Sequence, residues 1–380
     1  MTGTAEPLAF DPVIVIGRKG NVGQVQLETA GCWPIDTTYY AAIPQRLDAR
    51  FLTWQLRSLE LGKLDSSTAT PSLRRQDLEA QEVLVPPLEE QRQIIAILED
   101  RLSRLDAADR QLRAAAQRAD VLLRAALSVG LRGGLVPDDL SDGSGDDLAP
   151  AVDESEPSAD ERWWSVPESW KWVRLGDVFE INVGATPPRG DQLAWKGDLP
   201  WVASGEVSFR RIETTREHIA RAAAGNPQKR IHPPGTVLLA MIGEGKTRGQ
   251  AAILDVEAAH NQNCASIRVS ETEILPEYVY GYLEERYLET RRGGAGGQQP
   301  ALNKAAIQTF LFPLAPLATQ RALVSNWESL REERARLTSA LDRAARHSAT
   351  LRRGLLAAAF SGRLTESSAE MSVVEGRIET

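Results

Sequence analysis

Short motifs in this chain recur at a nearly constant distance. In the downstream part of each copy, matching residues lie 229 positions apart. Three pairs that keep this distance are Pro71 with Pro300, Gln91 with Gln320, and Leu135 with Leu364. Solenoid repeats run about 20–50 residues, so a period this long predicts a duplicated domain. Two copies of one module suit a target that itself has two parts.

The first copy of the repeat has fewer residues before its glycine-rich motif than the second copy has. A glycine-rich motif at Gly17–Gly23 matches Gly243–Gly249 at a distance of 226 residues. The second copy has a long stretch before this motif, starting near Trp163, whereas the first has only the residues from Met1 onward. We therefore expect the first domain to lack part of its core and of its target-facing surface.

Composition narrows the classes of protein that this chain can be. Its N-terminus has neither the basic region nor the apolar stretch of a signal peptide. No apolar run approaches the roughly 20 residues of a membrane span. Cys32 and Cys264 fall at similar places in the two copies, so each is expected to be a buried thiol rather than half of a disulfide. These features predict a cytoplasmic protein without membrane contact.

The net charge of −8 comes from one segment. Between residues 138 and 161 there are acidic residues and no Lys or Arg. The ten acidic residues are Asp138, Asp139, Asp142, Asp146, Asp147, Asp153, Glu154, Glu156, Asp160 and Glu161. Without them the formal net charge is +2. This segment has the composition of a flexible tether. The rest of the chain has a net charge near zero, which allows a local basic groove that binds nucleic acid.

Each copy ends in a long stretch with heptad spacing. From Leu98 to Ala126, and from Leu323 to Leu355, apolar residues step alternately by three and four positions. This spacing places the apolar residues in one stripe along each helix, which we call the seam. Three polar residues interrupt the seams: Asp109, Arg334 and Ser348. Such spacing predicts two long helices that pack on each other as a coiled coil, which is antiparallel if the two globular parts sit at its opposite ends. An ordinary amphipathic helix on each domain is the alternative.

One motif invites a nucleotide-binding interpretation. Residues 240–247 approximate a phosphate-binding loop that ends in Lys246-Thr247, but this chemistry needs a helix that begins at the Lys-Thr pair. The following residues read as a turn and a strand, so a basic turn between two strands is the preferred interpretation. The sequence shows no spacing typical of a metal site, nucleophile or cofactor loop, so we predict no catalytic residues, no metal and no cofactor.

Several phrases in this order resemble the specificity subunit of type I restriction–modification systems. The phrases are Val166–Val178, Gly184–Pro187, Leu199–Trp201, Gly243–Gly249, Pro86–Ile94 and Phe360–Leu364. The resemblance implies a mixed α/β fold: two target-recognition domains separated by two long helices that form an antiparallel coiled coil. It also implies a non-catalytic subunit that reads a split DNA sequence and docks two modification (methyltransferase) subunits, with restriction/translocase subunits in the restriction complex.

The expected domain boundaries follow from the repeat and the resemblance. They are the first recognition domain at 1–86, the first spacer helix at 87–132, the acidic flexible linker at 133–162, the second recognition domain at 163–315, the second spacer helix at 316–362 and the tail at 363–380. Pro86, Pro87, Gln91, Pro316 and Gln320 are expected to fix the junctions between the domains and the helices.

Double-stranded DNA is the expected target, and polar residues in loops are the candidates to contact it. In the first domain the candidates are Arg18, Lys19, Asn21, Arg74 and Arg75. In the second domain they are Arg189, Lys246, Thr247, Arg248, Arg291, Arg292, Gln298, Gln299, Asn303 and Lys304. Two alternatives stay open from the residues alone: a P-loop nucleotide-binding protein, and a coiled-coil scaffold with no DNA role.

Overall fold

The chain divides into two compact units. The computed structural model describes residues 12–30, 32–64, 71–137, 143–148, 164–243, 246–292, 302–365 and 372–373. Unit 1 comprises residues 1–116 and 337–380, and unit 2 comprises residues 117–336. None of the helices in the described ranges is long and apolar enough to cross a membrane.

Unit 1 is built on a three-stranded antiparallel sheet. Strand β1 (Val13–Gly17) lies between β2 (Val25–Glu28) and β3 (Thr38–Ala42). Helix α1 (Ala49–Ser58) follows and buries its apolar face. It begins at Asp48, whose carboxylate accepts hydrogen bonds from two backbone N–H groups of the first turn, which a helix otherwise leaves unpaired. The chain continues through α2 (Arg75–Glu79) and β4 (Leu84–Val85).

Unit 2 begins beyond the middle of the long helix α3 (Leu88–Gly130). Its further strands are β5 (Lys171–Arg174), β6 (Ile181–Val183), β7 (Leu199–Val202), β8 (Arg210–Ile212), β9 (Glu217–Ile219), β10 (Val237–Ala240), β11 (Ala251–Leu254), β12 (Ala259–His260), β13 (Cys264–Ile267) and β14 (Leu311–Leu314). Its helices are α4 (Leu175–Val178), α5 (Pro227–Arg230), α6 (Pro276–Glu285), α7 (Tyr287–Arg292), α8 (Lys304–Gln308) and the first part of α9 (Leu317–Ala359).

The element order confirms the duplication. Strand β10 lies between β11 and β13, all antiparallel, as β1 lies between β2 and β3. Helices α2 and α8 begin 229 residues apart, and so do α3 and α9. The elements from β5 to β9 precede β10 in unit 2. No element precedes β1 within the part of unit 1 that the structure describes.

The ends of the two units also match. In unit 2, β5 pairs antiparallel with β14, the strand that leads into a long helix. In unit 1, β15 (Ser372–Val373) pairs antiparallel with β4 in the same position. In both units, therefore, the strand that leads into a long helix pairs with a segment that follows the other long helix in sequence.

The two long helices run antiparallel within each unit. In unit 1, the Arg352 guanidinium of α9 donates to Asp106 of α3 at 2.6 Å. In unit 2, the Trp327 indole N–H donates to the Ala126 carbonyl of α3 at 3.1 Å. Later residues of α9 thus meet earlier residues of α3, which confirms the predicted direction.

The polar interruptions of the seam pair with polar partners. The Ser348 hydroxyl donates to the Asp109 carboxylate at 3.1 Å, and Arg352 donates to the same oxygen at 3.1 Å. Arg334 lies 3.7 Å from Asp120. Leu351, which continues the three-and-four spacing between Leu323 and Leu355, was predicted to lie in the seam. This was wrong, because its side chain is 41% exposed. A helix of 3.6 residues per turn drifts away from a strict heptad pattern, so Arg352 occupies the seam instead.

One buried glutamine in each unit fixes the start of a long helix. In unit 1, Gln91 accepts from Asp48 N–H at 2.8 Å and donates to the Pro86 carbonyl at 2.8 Å. In unit 2, Gln320 accepts from Leu275 N–H at 3.0 Å and donates to the Ala315 carbonyl at 2.8 Å. Both side chains are 0% exposed. The same side chain thus ties the start of α1 or α6 to the strand end before the long helix.

Replacing Gln320 by leucine is expected to lower the free energy of unfolding by about 2 kcal/mol. The substitution leaves a buried N–H and a buried carbonyl without partners, and each such group costs about 1–3 kcal/mol. Urea unfolding followed by circular dichroism measures the change. Gln76→Leu, at an exposed position of α2, is the matched control. A Gln320→Leu variant as stable as the control would contradict this role.

The acidic segment is partly described. Ser144 caps a turn at Gly145–Asp147, and Gly145 N–H donates to the Ser169 carbonyl at 2.7 Å. Lys171 pairs with Asp146 at 2.7 Å, and the lysine lowers the pKa of this carboxyl. Residues 143–148 are therefore packed on unit 2. Residues 138–142 and 149–163, where the flexible tether is expected, lie outside the described residues.

Candidate nucleic-acid interface

Several loops of unit 2 lie together on one side of its five-stranded sheet, where the ends of neighbouring strands meet. The order β6-β13-β10-β11-β8 brings the end of β6, the start of β13, the end of β10 and the start of β11 to this edge. Backbone hydrogen bonds connect the loops: Ala185 N–H donates to the His260 carbonyl at 2.9 Å, and Met241 N–H donates to the Asn263 carbonyl at 2.8 Å. We call this region the loop edge.

The β10–β11 hairpin tip is held from outside by helix α7. The Tyr287 hydroxyl donates to the Lys246 carbonyl at 2.6 Å. Gly249 has a φ of +82°, and a Cβ at this position would collide with Thr290. Lys246 is exposed and Thr247 is half-buried. Residues 246–249 therefore present the Lys246 cation on a backbone that contacts α7.

Arg248 is buried, unlike its neighbour Lys246. Arg248 is only 5% exposed, whereas Lys246 is exposed to solvent. The chain turns at residues 246–249 and then enters β11, so no helix begins at the Lys-Thr pair. A phosphate-binding loop requires such a helix, and the P-loop alternative is therefore wrong.

Arg189 stands in the loop between β6 and β7. Its guanidinium lies 3.9 Å from the centre of the Trp195 ring and pairs with Glu217, with one N–O distance of 3.2 Å. The hydrogen bonds that Arg189 donates to the Glu217 carboxylate raise the pKa of the guanidinium. The Trp195 indole N–H donates to the Pro188 carbonyl at 3.1 Å, which fixes the ring. Arg189 is thus a cation that is stacked on an aromatic ring and oriented by an ion pair.

The candidates of unit 1 lie close together. The Arg18 carbonyl accepts from Leu73 N–H at 2.9 Å, and Lys19 forms a β-bridge with Ser72. This places the β1–β2 tip, with Lys19 and Asn21 exposed, beside the exposed Arg74 and Arg75 at the start of α2. The Arg75 side chain also pairs with Glu79 at 2.9 Å.

The remaining candidates of unit 2 are placed in part. Asn303 caps α8 by accepting from Ala306 N–H at 2.9 Å, and the adjacent Lys304 is exposed. They occupy the positions that Arg74 and Arg75 hold in unit 1. Arg291 and Arg292 are the last residues of α7. Gln298 and Gln299 lie outside the described residues.

Sequence reasoning missed two polar residues at the loop edge. Thr186 hydrogen-bonds to the Gln262 side chain, which joins the β6–β7 loop to the β12–β13 turn. Amide side chains suit the donor and acceptor pattern of an adenine edge. The run Asn261-Gln-Asn263 directly before a buried strand was the available signal.

Two buried histidines lie close to the loop edge. The rings of His232 and His260 are 4.9 Å apart, and both side chains are almost fully buried. Burial lowers the pKa of His232 to about 2 and that of His260 to about 4. Both are therefore neutral at pH 7. Within the described residues, no group of three or more His, Cys, Asp or Glu could hold a metal ion.

A family model described as "Type I restriction modification DNA specificity domain" matches residues 6–115 and 167–339. The chain belongs to this family. The match has two parts, one in each copy of the repeat, as expected for a duplicated specificity module. It includes the β1–β2 and β10–β11 tips, and each part ends within one of the two long helices.

Similar proteins agree with this assignment. A stretch of 137 residues is 26% identical to the type I restriction enzyme MjaIX specificity subunit of Methanocaldococcus jannaschii. The stretch covers 34% of this chain and 31% of that protein, so the match spans about a third of each.

Two solved structures share the fold. The HsdS subunit from Thermoanaerobacter tengcongensis is 21% identical with a TM-score of 0.56, covering 93% of this chain and 81% of that one. A chain from a study of complex assembly and conformational transition of the type I R-M system is 20% identical with a TM-score of 0.72, covering 96% and 85%. At these identities the likeness shows the fold alone.

Proposed function

We propose that this specificity-family chain is the DNA-reading, non-catalytic subunit of a type I restriction–modification complex. The observation that carries the proposal is the family match over both copies of a duplicated module. Each unit has a hairpin tip with exposed basic or amide side chains: Lys19 and Asn21 in unit 1, and Lys246 in unit 2. Two such readers on one chain fit a target with two separate half-sites.

Readout combines backbone and base contacts. Lys246 and Lys19 supply charge for phosphates, which position a protein on DNA without sequence information. Thr247, Gln262 and Asn21 supply the hydroxyl and amide groups that distinguish base edges. Because the Lys246 carbonyl is fixed by Tyr287, little order has to be gained on binding.

The proposed partners are two modification (methyltransferase) subunits, which act on the DNA that this chain selects, and restriction/translocase subunits in the restriction complex. The chain itself supplies no catalytic group and no cofactor in this proposal. Binding to chromosomal DNA places its action in the cytoplasm. Unit 1 reads one half-site and unit 2 the other, and the long helices set the gap between them.

Replacing Lys246 by glutamate is expected to weaken DNA binding by about tenfold, because one phosphate contact becomes a repulsion. Electrophoretic mobility shift with the assembled modification complex measures this effect, and the slope of affinity against salt should fall by about one. Lys229→Glu is the matched control, since Lys229 is an exposed lysine on α5. Equal losses in both variants would mean that the tip has no special role.

Replacing Tyr287 by phenylalanine is expected to weaken DNA binding about fivefold. The variant loses one hydrogen bond, worth about 1 kcal/mol, that orders the tip before DNA arrives. Fluorescence anisotropy with labelled DNA measures the affinity. Tyr280→Phe is the control, because Tyr280 also packs on Phe209, with ring centres 6.2 Å apart. Unchanged affinity for Tyr287→Phe would show that α7 does not order the tip.

A further inference from the structure

Unit 2 carries an exposed ion pair between Arg189 of the β6–β7 loop and Glu217, the first residue of β9. Glu217 is paired with Trp201 of β7, and the Arg189 guanidinium lies 5.3 Å from the centre of the Trp201 ring. Three residues before Arg189, the side chain of Thr186 hydrogen-bonds to Gln262 at the loop edge. The loop that carries Arg189 therefore also contacts one of the proposed base-reading residues.

The ion pair uses only part of the Arg189 guanidinium. Its Nη1 and Nη2 each donate to one oxygen of the Glu217 carboxylate, and the Nη2 distance is 3.2 Å. This end-on arrangement engages one hydrogen of each terminal nitrogen, whereas a guanidinium has five N–H hydrogens. Among the contacts of Arg189 with described residues, none uses Nε as a donor. The edge formed by Nε–H and an adjacent Nη–H is therefore open for a second, bidentate contact.

Both side chains are accessible, and the guanidinium is held in one orientation. The Arg189 side chain is 59% exposed and that of Glu217 is 37% exposed. The guanidinium lies 3.9 Å from the centre of the Trp195 ring, whose indole N–H donates to the Pro188 carbonyl at 3.1 Å. An arginine that is already stacked and paired loses little side-chain freedom when a ligand binds. The open edge of Arg189 is thus oriented before any ligand arrives.

The charges of the pair favour a base edge over a phosphate as the ligand. Glu217 compensates the charge of Arg189, and its carboxylate repels a phosphate at the same place. Asp191 of the same loop accepts from the Leu193 and Ala194 N–H groups at 3.1 and 3.2 Å, so its carboxylate is engaged in the turn. Base edges are recognised by donors and acceptors at defined positions rather than by net charge. A neutral pair with an open donor edge suits that kind of contact.

The order of donors and acceptor in the pair matches one base pair. In the major groove guanine presents two acceptors, N7 and O6, and the cytosine beside it presents the N4 amino donor. The open edge of Arg189 offers two donors, and the Glu217 carboxylate next to it offers an acceptor. An A·T pair would instead place the adenine N6 amino group against a donor of the arginine. The pair therefore complements G·C, with the guanine on the arginine side.

We propose that Arg189 and Glu217 together read one G·C pair in the half-site of unit 2. Arg189 donates through Nε and one Nη to guanine O6 and N7. Glu217 holds the guanidinium in place and accepts from the N4 amino group of the cytosine. This inference rests on the proposed function, and it adds the identity of one base pair and the two residues that specify it.

Methylation mapping with the assembled modification complex tests this assignment. In Arg189→Gln, one G·C position in one half of the motif should become degenerate, while the other half and the gap stay unchanged. Glu217→Gln should relax the same position, because an amide can turn a donor toward the base. Arg221→Gln is the matched control: Arg221 forms an exposed ion pair with Glu257 and follows the end of β9, whereas Glu217 begins it. The control should keep the wild-type motif.

Base analogues test the contact itself, in a duplex that carries the mapped motif with one guanine replaced. 7-Deazaguanine lacks the N7 acceptor and should weaken binding of the wild-type complex about fivefold. It should not weaken binding of the Arg189→Gln complex any further. Inosine keeps both major-groove acceptors and should change the affinity by less than about twofold. Fluorescence anisotropy with labelled duplexes measures all four affinities.

The outcomes separate this inference from the proposed function. A split motif that neither Arg189→Gln nor Glu217→Gln alters would overturn the inference and leave the proposed function intact. Relaxation at an A·T position, or an equal loss from 7-deazaguanine in the wild-type and Arg189→Gln complexes, would overturn it in the same way. An assembled wild-type complex that methylates no motif would refute both.

Discussion

Replacing Trp327 by alanine is expected to destabilise unit 2 by about 3–5 kcal/mol, the range for truncating a large buried aromatic side chain. Trp327 is fully buried where α9, α3 and α6 meet. Its ring stacks on Tyr278, with ring centres 5.9 Å apart and planes 5° apart. Alanine would leave a cavity among these three helices and would also leave the Ala126 carbonyl without its indole donor.

The packing around Trp327 limits how far its neighbours can fill the cavity. Two glycines lie against the ring, and a Cβ would come within 2.9 Å of it at Gly130 and within 2.7 Å at Gly281. These positions have no side chain to move into the space. Relaxation would therefore be small, and the loss should lie at the upper part of the range.

Chemical unfolding followed by circular dichroism measures this prediction. Trp327→Phe keeps most of the ring and should lose less than half as much stability. Trp33→Ala is the matched control, because Trp33 is 52% exposed, and surface substitutions usually change stability by less than about 0.5 kcal/mol. If Trp327→Ala lost no more than Trp33→Ala, α9 would not form part of the core of unit 2.

Lowering the pH from 7 to 5 is expected to destabilise unit 2 by about 2 kcal/mol for each of the two buried histidines. Burial is the main reason that the pKa of His232 is about 2 and that of His260 about 4. In the unfolded chain both have a pKa near 6.5. The unfolded state therefore takes up protons as the pH falls below about 6.5, and the folded state does not.

Neighbouring groups keep the two rings neutral. The Arg268 guanidinium donates to Nδ1 of His232 at 3.4 Å, so this nitrogen carries no proton. Each ring would also repel a charge on the other across 4.9 Å. The Asn261 carbonyl, 3.0 Å from Nδ1 of His260, works in the opposite direction and raises its pKa. Within the described residues, neither Nε2 has a hydrogen-bond partner.

Unfolding free energies at pH 7 and pH 5 test this prediction. His260→Gln should reduce the difference between the two pH values by about half, since one titrating group is gone. His218→Gln should leave the difference unchanged, because His218 is exposed. NMR provides an independent check: the ring signals of His232 and His260 should not titrate above pH 5 in the folded protein. A normal titration near pH 6.5 would contradict the burial argument.

The repeat in the sequence predicted much of the fold. Glycines in the turn after each long helix, Gly133 and Gly362, have φ angles of +77° and +74° at the predicted spacing of 229 residues. The roles of Gln91 and Gln320 at the junctions also followed from their paired positions. Residues that recur at the same place in both copies, such as these glycines and glutamines, mark turns and junctions of the backbone. A repeat can therefore predict where such turns and junctions lie.

Side-chain placement could not be predicted in the same way. Arg248 reads like Lys246 in the sequence, but the direction of the turn buries one and exposes the other. His232 and His260 lie far apart in the chain, and the bridge between His232 and Ala258 brings them together. Each of these features arises from long-range packing rather than from local pattern.

Methylation mapping gives the most direct test of the central claim. The chain would be co-expressed with its modification subunit in a host without other DNA methylation, and modified bases would be located by long-read sequencing. We predict one split motif, with two short defined halves at a fixed distance, and we predict that Lys246→Glu degrades one half only. An assembled complex that methylates no motif, or a continuous motif without a gap, would contradict the account.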